Sequence, residues 1–247
     1  MMQPRTTHLS PLSPLIALAR AQLNVQMRNW RYTAATLFTP MFLLVLFKLT
    51  MEANAASMLP LLVGFGVMYS GQTLGLILIT WRANRVFTRF AATPAPISHL
   101  LFATVIVQLI VFLLQSILLL LAGIMLYDVR ITVTDLPMVL AILSVGCLTF
   151  LGFGALLAAF ANKPDTLSLI YVFTLLPMIF LGGSVFVIPG LGDIGRWLPP
   201  TLLTHALNPY FGFGELDSSQ IAGNLATLLA YSGIFTAIAA RFFQTGE

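Results

Sequence analysis

Long stretches of this chain carry no fixed charge. Residues 32–47, 53–81, 90–127, 136–162, 166–192 and 218–240 contain no Asp, Glu, Lys or Arg. A helix that crosses a bilayer needs about 20 mainly apolar residues. Each of the six stretches reaches or approaches that length. The shortest, 32–47, is extended by Lys48, whose ammonium can snorkel to the interface. Over 247 residues, 58% are hydrophobic and 8% charged, against roughly 25% charged in soluble domains. So much apolar surface cannot be hidden in one globular core, so the solvent is lipid. No period-two alternation marks the stretches, so helices are expected rather than a barrel. The expected fold is an all-α membrane protein: one transmembrane domain over 1–247, with six spans at about 32–50, 58–80, 99–126, 136–161, 166–187 and 220–240.

The N-terminal segment is polar and proline-rich up to Pro14. It has no apolar core beside a cleavage site, so it does not read as a cleavable signal. Within 12–31, Ile16, Ala19, Leu23, Met27 and Trp30 recur at steps of three and four. Arg20, Asn24, Arg28 and Arg31 lie mainly off that stripe. This pattern predicts a helix lying in the membrane interface, with a cytosolic packing helix as the alternative.

Six spans place both termini on one side, together with the turns near 82–98 and 162–165. That side collects Arg5, Arg20, Arg28, Arg31, Arg82, Arg85, Arg89, Lys163 and Arg241. The other side receives Lys48, Arg130 and Arg196, and most of the acids. Basic residues favour the cytoplasmic face, so the termini and the 82–98 loop are expected there. The sequence pI of about 9.6 does not point to nucleic acid, because the basic residues are dispersed between apolar runs. The lone Cys147 excludes an internal disulfide and a cysteine metal site.

Arg82, Arg85 and Arg89 stand at steps of three and four, which predicts one face of a short helix. Thr93-Pro94-Ala95-Pro96 then breaks it. Two uses are open for the arginines: anchoring the topology, or contact with a cytoplasmic partner.

The sequence contains no G-x-x-x-x-G-K-[ST], so a phosphate loop of that kind is absent. No span interior holds an Asp, Glu, Lys or Arg, so proton coupling is not expected. His8, His99 and His205 lack metal-ligand spacing, and no catalytic constellation is visible. Among the polar residues within the spans are Gln72, Thr73, Gln108, Gln115 and Asn224. Gln108 and Gln115 share a face and serve either a substrate path or helix contacts. Gly71-x-x-x-Gly75 is a close-packing pattern, either internal or between protomers. From Phe180 to Pro209 the sequence is rich in glycine and proline. Irregular backbone at membrane depth must be shielded or line a cavity. The fifth span is therefore expected to end at Gly182-Gly183, with short re-entrant helices over 188–217 forming an outer lid and Trp197 at the outer interface.

These features resemble the permease subunits of type-2 ATP-binding-cassette exporters, the multidrug and antibiotic export permeases among them. The resemblance rests on the amphipathic basic N-terminal helix and on two motifs. One is Arg82 followed by Phe87-x-Arg89-Phe90-x-Ala92-Thr93-Pro94-x-Pro96, similar to the family's R-x-x-x-x-L-x-R-L-x-A-T-P loop. The other is Gly182-Gly183 and Pro189, then Trp197-Leu198-Pro199-Pro200 and Thr204-His205-Ala206. Asn84 and Val86 stand where the family's loop carries acids.

The resemblance implies a half-transporter, paired with a second permease copy or paralogue and with separate ATPase subunits. ATP and Mg would bind the partner, and no cofactor this chain. It implies that Arg20, Arg28, Arg82, Arg85, Arg89, Phe90, Thr93 and Pro94 couple to the ATPase. Gln72, Thr73, Phe180, Gly182 and Gly183 would line the substrate path. Pro189, Trp197, Pro199, Pro200 and His205 would form the outer gate. The expected setting is the bacterial cytoplasmic membrane, and the expected cargo a hydrophobic or amphipathic molecule such as a drug, antibiotic or lipid. An ion-coupled carrier or channel is the alternative, and a non-transporting scaffold or sensor a third.

Overall fold

A computed structural model describes residues 12–28, 30–51, 56–93, 96–129, 131–182, 192–215 and 217–242. These form α1 (Leu12–Arg28), α2 (Trp30–Thr50), α3 (Leu59–Ala83), α4 (Val86–Ala91), α5 (Ile97–Tyr127), α6 (Leu136–Phe160), α7 (Pro164–Leu181), α8 (Gly192–Gly195), α9 (Pro199–Leu207) and α10 (Ser218–Phe242), with a 3-10 turn at Asn208–Phe211. Proline starts several of them: Pro60, Pro137, Pro164 and Pro199 lie in the first turns of α3, α6, α7 and α9. There the missing amide hydrogen costs nothing and the fixed φ suits the helix.

Among the described residues five helices, α3, α5, α6, α7 and α10, are long and apolar enough to cross a membrane. The expected sixth is shorter. The apolar part of α2 covers Ala34–Thr50, and Pro40 interrupts it. Side-chain contacts nevertheless give α2 a direction. Gln115 Nε2 donates to Thr36 Oγ1 at 3.1 Å, and the Tyr127 hydroxyl donates to the Leu44 carbonyl. So α2 runs parallel to α5. By the same reasoning α3 and α6 are parallel, through Ser70 to the Cys147 carbonyl and Arg82 to that of Ala158. Thr149 on Leu228 and Phe160 beside Phe242 align α10 with α6. Tyr171 bonds the Met68 carbonyl, while Leu167 lies against Gly75, so α7 opposes α3. Gly66 meets Leu119 and Leu59 meets Gly123, so α5 opposes α3 as well. The six long helices therefore alternate in chain order. The residues at 84–93 and 161–163 share one end, the arginine end. Residues 56–58, 128–129, 131–135 and 192–215 share the other.

At the centre lies α3, packed against α2, α5, α6, α7 and α9. Lipid supplies little drive for helices to associate, so close backbone packing holds the bundle. A methyl group added at Gly71 would overlap the Phe150 carbonyl, and one at Gly154 would overlap Gly71. One at Gly75 would lie 2.7 Å from Leu167 and 2.9 Å from the Gly154 carbonyl. The Gly71-x-x-x-Gly75 pattern is thus an internal crossing of α3 with α6 and α7. Cys147 is fully buried beside it. Gln108 and Gln115 prove to be helix contacts, since Gln108 Nε2 donates to Gln26 Oε1 at 3.1 Å.

The inward face of α1 differs from the expected stripe. Leu15, Leu18, Ala19, Gln22, Leu23 and Gln26 are half-buried, and α1 packs mainly against α5. Ile16 and Met27 are exposed, Met27 by 73%. The stripe is rotated because Gln22 and Gln26 face inward, where Gln108 meets Gln26. The Trp30 side chain lies outside the described set. The outward face mixes Ile16, Val25 and Met27 with Arg20 and Arg28.

Candidate functional site

At the arginine end the three loop arginines do not share one helix face. Asn84 caps α3, and Arg85 takes a left-handed conformation with φ of 52°. The chain breaks there and restarts as α4. Arg82 therefore belongs to α3, where it turns inward. Its Nη2 donates to the Ala158 carbonyl at 2.8 Å and its Nη1 to that of Ala161 at 3.3 Å. The last carbonyls of a helix lack intrahelical partners and carry partial negative charge. Arg82 thus caps α6 and ties it to α3. Arg85 is exposed; Arg89 is exposed too, and its Nη2 donates to the Asn84 carbonyl at 2.6 Å. Phe87 anchors α4: it is 2% exposed and stacks edge-on against Trp81 at 5.9 Å. Phe90 is half-buried, and Thr93 caps α4 by donating to the Phe90 carbonyl at 2.7 Å. Pro94 lies outside the described residues. Arg20 and Arg28 are exposed on α1, away from α4 in sequence.

On one flank of the bundle α3 is covered only in part. Phe65, Tyr69, Gln72 and Leu76 recur at steps of four and three and are half-buried. Tyr69 bonds Thr39 of α2, and Tyr171 of α7 bonds Met68. This stripe therefore floors a seam between α2 and α7. The walls turn apolar faces outward: Phe38, Phe42, Val45 and Leu49 on α2, and Leu169, Phe173, Leu176 and Phe180 on α7. Of the expected path residues, Gln72 lies on the floor and Phe180 on the outward face of α7. Thr73 is 4% exposed and donates to the Tyr69 carbonyl, so it faces the core. Gly182 caps α7 and packs against α9, where a methyl group would overlap Thr201 Oγ1. Gly183 lies outside the described residues.

At the opposite end α9 is inserted into the bundle. All its residues but His205 are buried. Leu203 fills a notch left by Gly64 and Gly146, 2.7 Å from a methyl group placed on the latter. Gly195 of α8 backs onto the Leu181 carbonyl, again with no room for a methyl group. So α7, α8 and α9 meet through two glycines. Pro199 and Pro200 are buried in the first turn of α9, Trp197 is 55% exposed, and Pro189 lies outside the described residues. His205 faces a cavity of about 520 Å³ with a mixed lining, in which Arg196, Asn208, Glu215, Gln220 and Asn224 stand beside Trp197, Leu202, Phe213 and Ile221. Asp217 opens α10: its Oδ1 accepts from the Ser219 amide at 2.9 Å and the Ser219 hydroxyl at 2.7 Å. Both bonds hold its carboxyl below the usual range. Among the described residues no group of His, Cys, Asp and Glu could hold a metal.

A family model described as ABC-2 type transporter matches residues 14–211. The chain belongs to the ABC-2 type transporter family. It is a multi-pass membrane protein and a transport permease rather than a catalytic domain. Permeases of this family generally work with an ABC ATPase. No curated protein matches the permease in sequence. Sequence reasoning missed two structural devices in it. The Arg82 cap is invisible because its acceptors are backbone carbonyls about 80 positions away. Gly154, facing Gly71, had a signal: the Gly152-Phe153-Gly154 run within an apolar helix.

Proposed function

We propose that this permease is one half of an exporter powered by ATP hydrolysis on a separate subunit. The observation that carries the reading is the arrangement of its two ends and its seam. The arginine end, taken as cytoplasmic by the charge bias, presents α4 with Arg85 and Arg89 exposed on a backbone held by Phe87. A docked ATPase pressing there would move α3, and through the Arg82 cap α6. The seam floored by Gln72 and Tyr69 lies open between its two walls, and a second permease would cover it. Its apolar lining suits a hydrophobic or amphipathic cargo. The α9 insertion at the far end would close the outer mouth, with Trp197 and His205 at its rim. α2 serves as the sixth span, bounded by Arg31 and Lys48.

The test is gentle extraction of the tagged permease with its bound proteins, followed by ATP hydrolysis and vesicle transport. A stoichiometric ATPase, with hydrolysis lowered by replacing both Arg85 and Arg89 with Gln, is expected. Transport by the permease alone in vesicles would overturn the reading in favour of a carrier or channel.

A further inference from the structure

A second cavity, of about 350 Å³, lies where α1, α2 and α5 meet. Its walls are Leu23, Met27, Leu37, Val111, Leu114 and Leu118. Its two amides are already engaged, Gln26 with Gln108 and Gln115 with Thr36. Water is held only where several polar groups converge, so a space of this kind calls for hydrocarbon. Met27, Leu114 and Leu118 are more than half exposed, so the groove opens to the outside of the bundle.

Two arginines adjoin the lining residues along α1 and α2. Arg28 follows Met27, and Arg31 lies three residues, almost one turn, before Ala34, which also lines the groove. Both arginines are exposed. The sequence has no acid before Glu52, and none between 90 and 127, so all three lining helices are free of carboxylates. Along α2, Arg31 and Lys48 are about 25 Å apart at 1.5 Å per residue, close to the roughly 30 Å hydrocarbon thickness. We place the two charges at the membrane faces. Ala34 and Leu37 then lie about 5 and 9 Å inside the Arg31 face. The groove begins at head-group level and runs inward, with guanidinium groups at its entrance and carbon along its length.

We propose that this groove is a binding site for an anionic phospholipid of the leaflet at the arginine end. One acyl chain fills the groove and the phosphate rests against Arg28 and Arg31. Guanidinium forks match phosphate oxygens, and a lipid without an ammonium brings no cation against them. The bound lipid joins α1 to the bundle along the face that α5 leaves open. The assignment rests on membrane insertion and the groove, not on ATP-driven export, so either can fail alone.

The test uses the purified permease in nanodiscs of phosphatidylglycerol and phosphatidylcholine with identical chains, and native mass spectrometry to count retained lipids. One phosphatidylglycerol is expected to be retained in preference to phosphatidylcholine. Arg28→Gln and Arg31→Gln should each reduce that preference about five-fold, the share of one basic residue near an anionic surface. Ala34→Phe, which fills the groove, should lower retention of both lipids while leaving the thermal midpoint within a few degrees. Equal retention of the two lipids, or a preference unchanged in the Arg28→Gln/Arg31→Gln variant, would overturn the proposal. So would retention unchanged by Ala34→Phe, or displacement of the lipid only by compounds that stimulate ATP hydrolysis, which would give the groove to the cargo.

Discussion

Arg82, Arg85 and Arg89 carry the same charge to different ends. Arg82 is committed to two carbonyls of α6, so Arg82→Gln should destabilise the permease by about 1–2 kcal/mol, seen as a lower melting midpoint in detergent. Arg85→Gln and Arg89→Gln should leave that midpoint nearly unchanged and lower coupled ATP hydrolysis instead. Equal loss of stability in all three would contradict the division. Arg85 also holds a left-handed conformation that costs a side-chain-bearing residue roughly 1–2 kcal/mol. Glycine adopts it freely, so Arg85→Gly should separate the two properties, keeping or raising stability while losing the charge. Asp217 gives a pH-dependent effect. Its folded pKa is depressed by Ser219, so its contribution to the start of α10 is complete above the unfolded value of about 3.9. The contribution fades as pH falls through the folded value. Protection of the 218–222 amides, relative to their intrinsic exchange rates, should therefore fall below pH 4 in the native permease, and lose that dependence in Asp217→Asn, which still caps the helix.

Glycine marks where helices touch. Gly71→Ala and Gly154→Ala each place a methyl group on facing backbone, which cannot yield as a side chain does. Either should cost about 3 kcal/mol or more, beyond the usual range for overpacking, and reduce the folded yield. Gly223, where an added methyl group would meet nothing within 4 Å, is the matched control: Gly223→Ala should be neutral or slightly stabilising, read by the same melting assay. Gly182→Ala tests the junction of α7 with α9 and should disturb the far end while leaving the α3–α6 crossing intact. At this scale the sequence was legible where one residue type sufficed. Uncharged length located the long helices, and prolines marked several of their starts. The break at Arg85 was not legible, because no glycine or proline signals it and spacing alone favours a continuous turn. The face of α1 was misread for a related reason: Gln22 and Gln26 look like surface residues until Gln108 is known to face Gln26.

Across the whole molecule, six alternating helices leave one flank unfinished. Phe173 is 72% exposed on α7 and makes little use of its own chain. Phe173→Asn should leave the melting midpoint of the isolated permease nearly unaltered while lowering the dimer fraction and transport. A dimer fraction equal to that of the native chain would place the second copy elsewhere. The facing of the expected path residues was only half legible: Gln72 is half-buried and Phe180 exposed, whereas Thr73 turns to the core and Gly182 packs on Thr201, because facing depends on helix rotation and on a contact distant in sequence. The charge pattern and the helix contacts agree on which loops lie together. One buried atom in this arrangement has an experimental use. Cys147 is the chain's single thiol, sealed at the central crossing with no surface open to reagent. A cysteine introduced anywhere on the exterior would then be the sole site that a maleimide dye or nitroxide reaches. Distances between the two ends of the permease can be followed in the native background, without first removing a residue from its core.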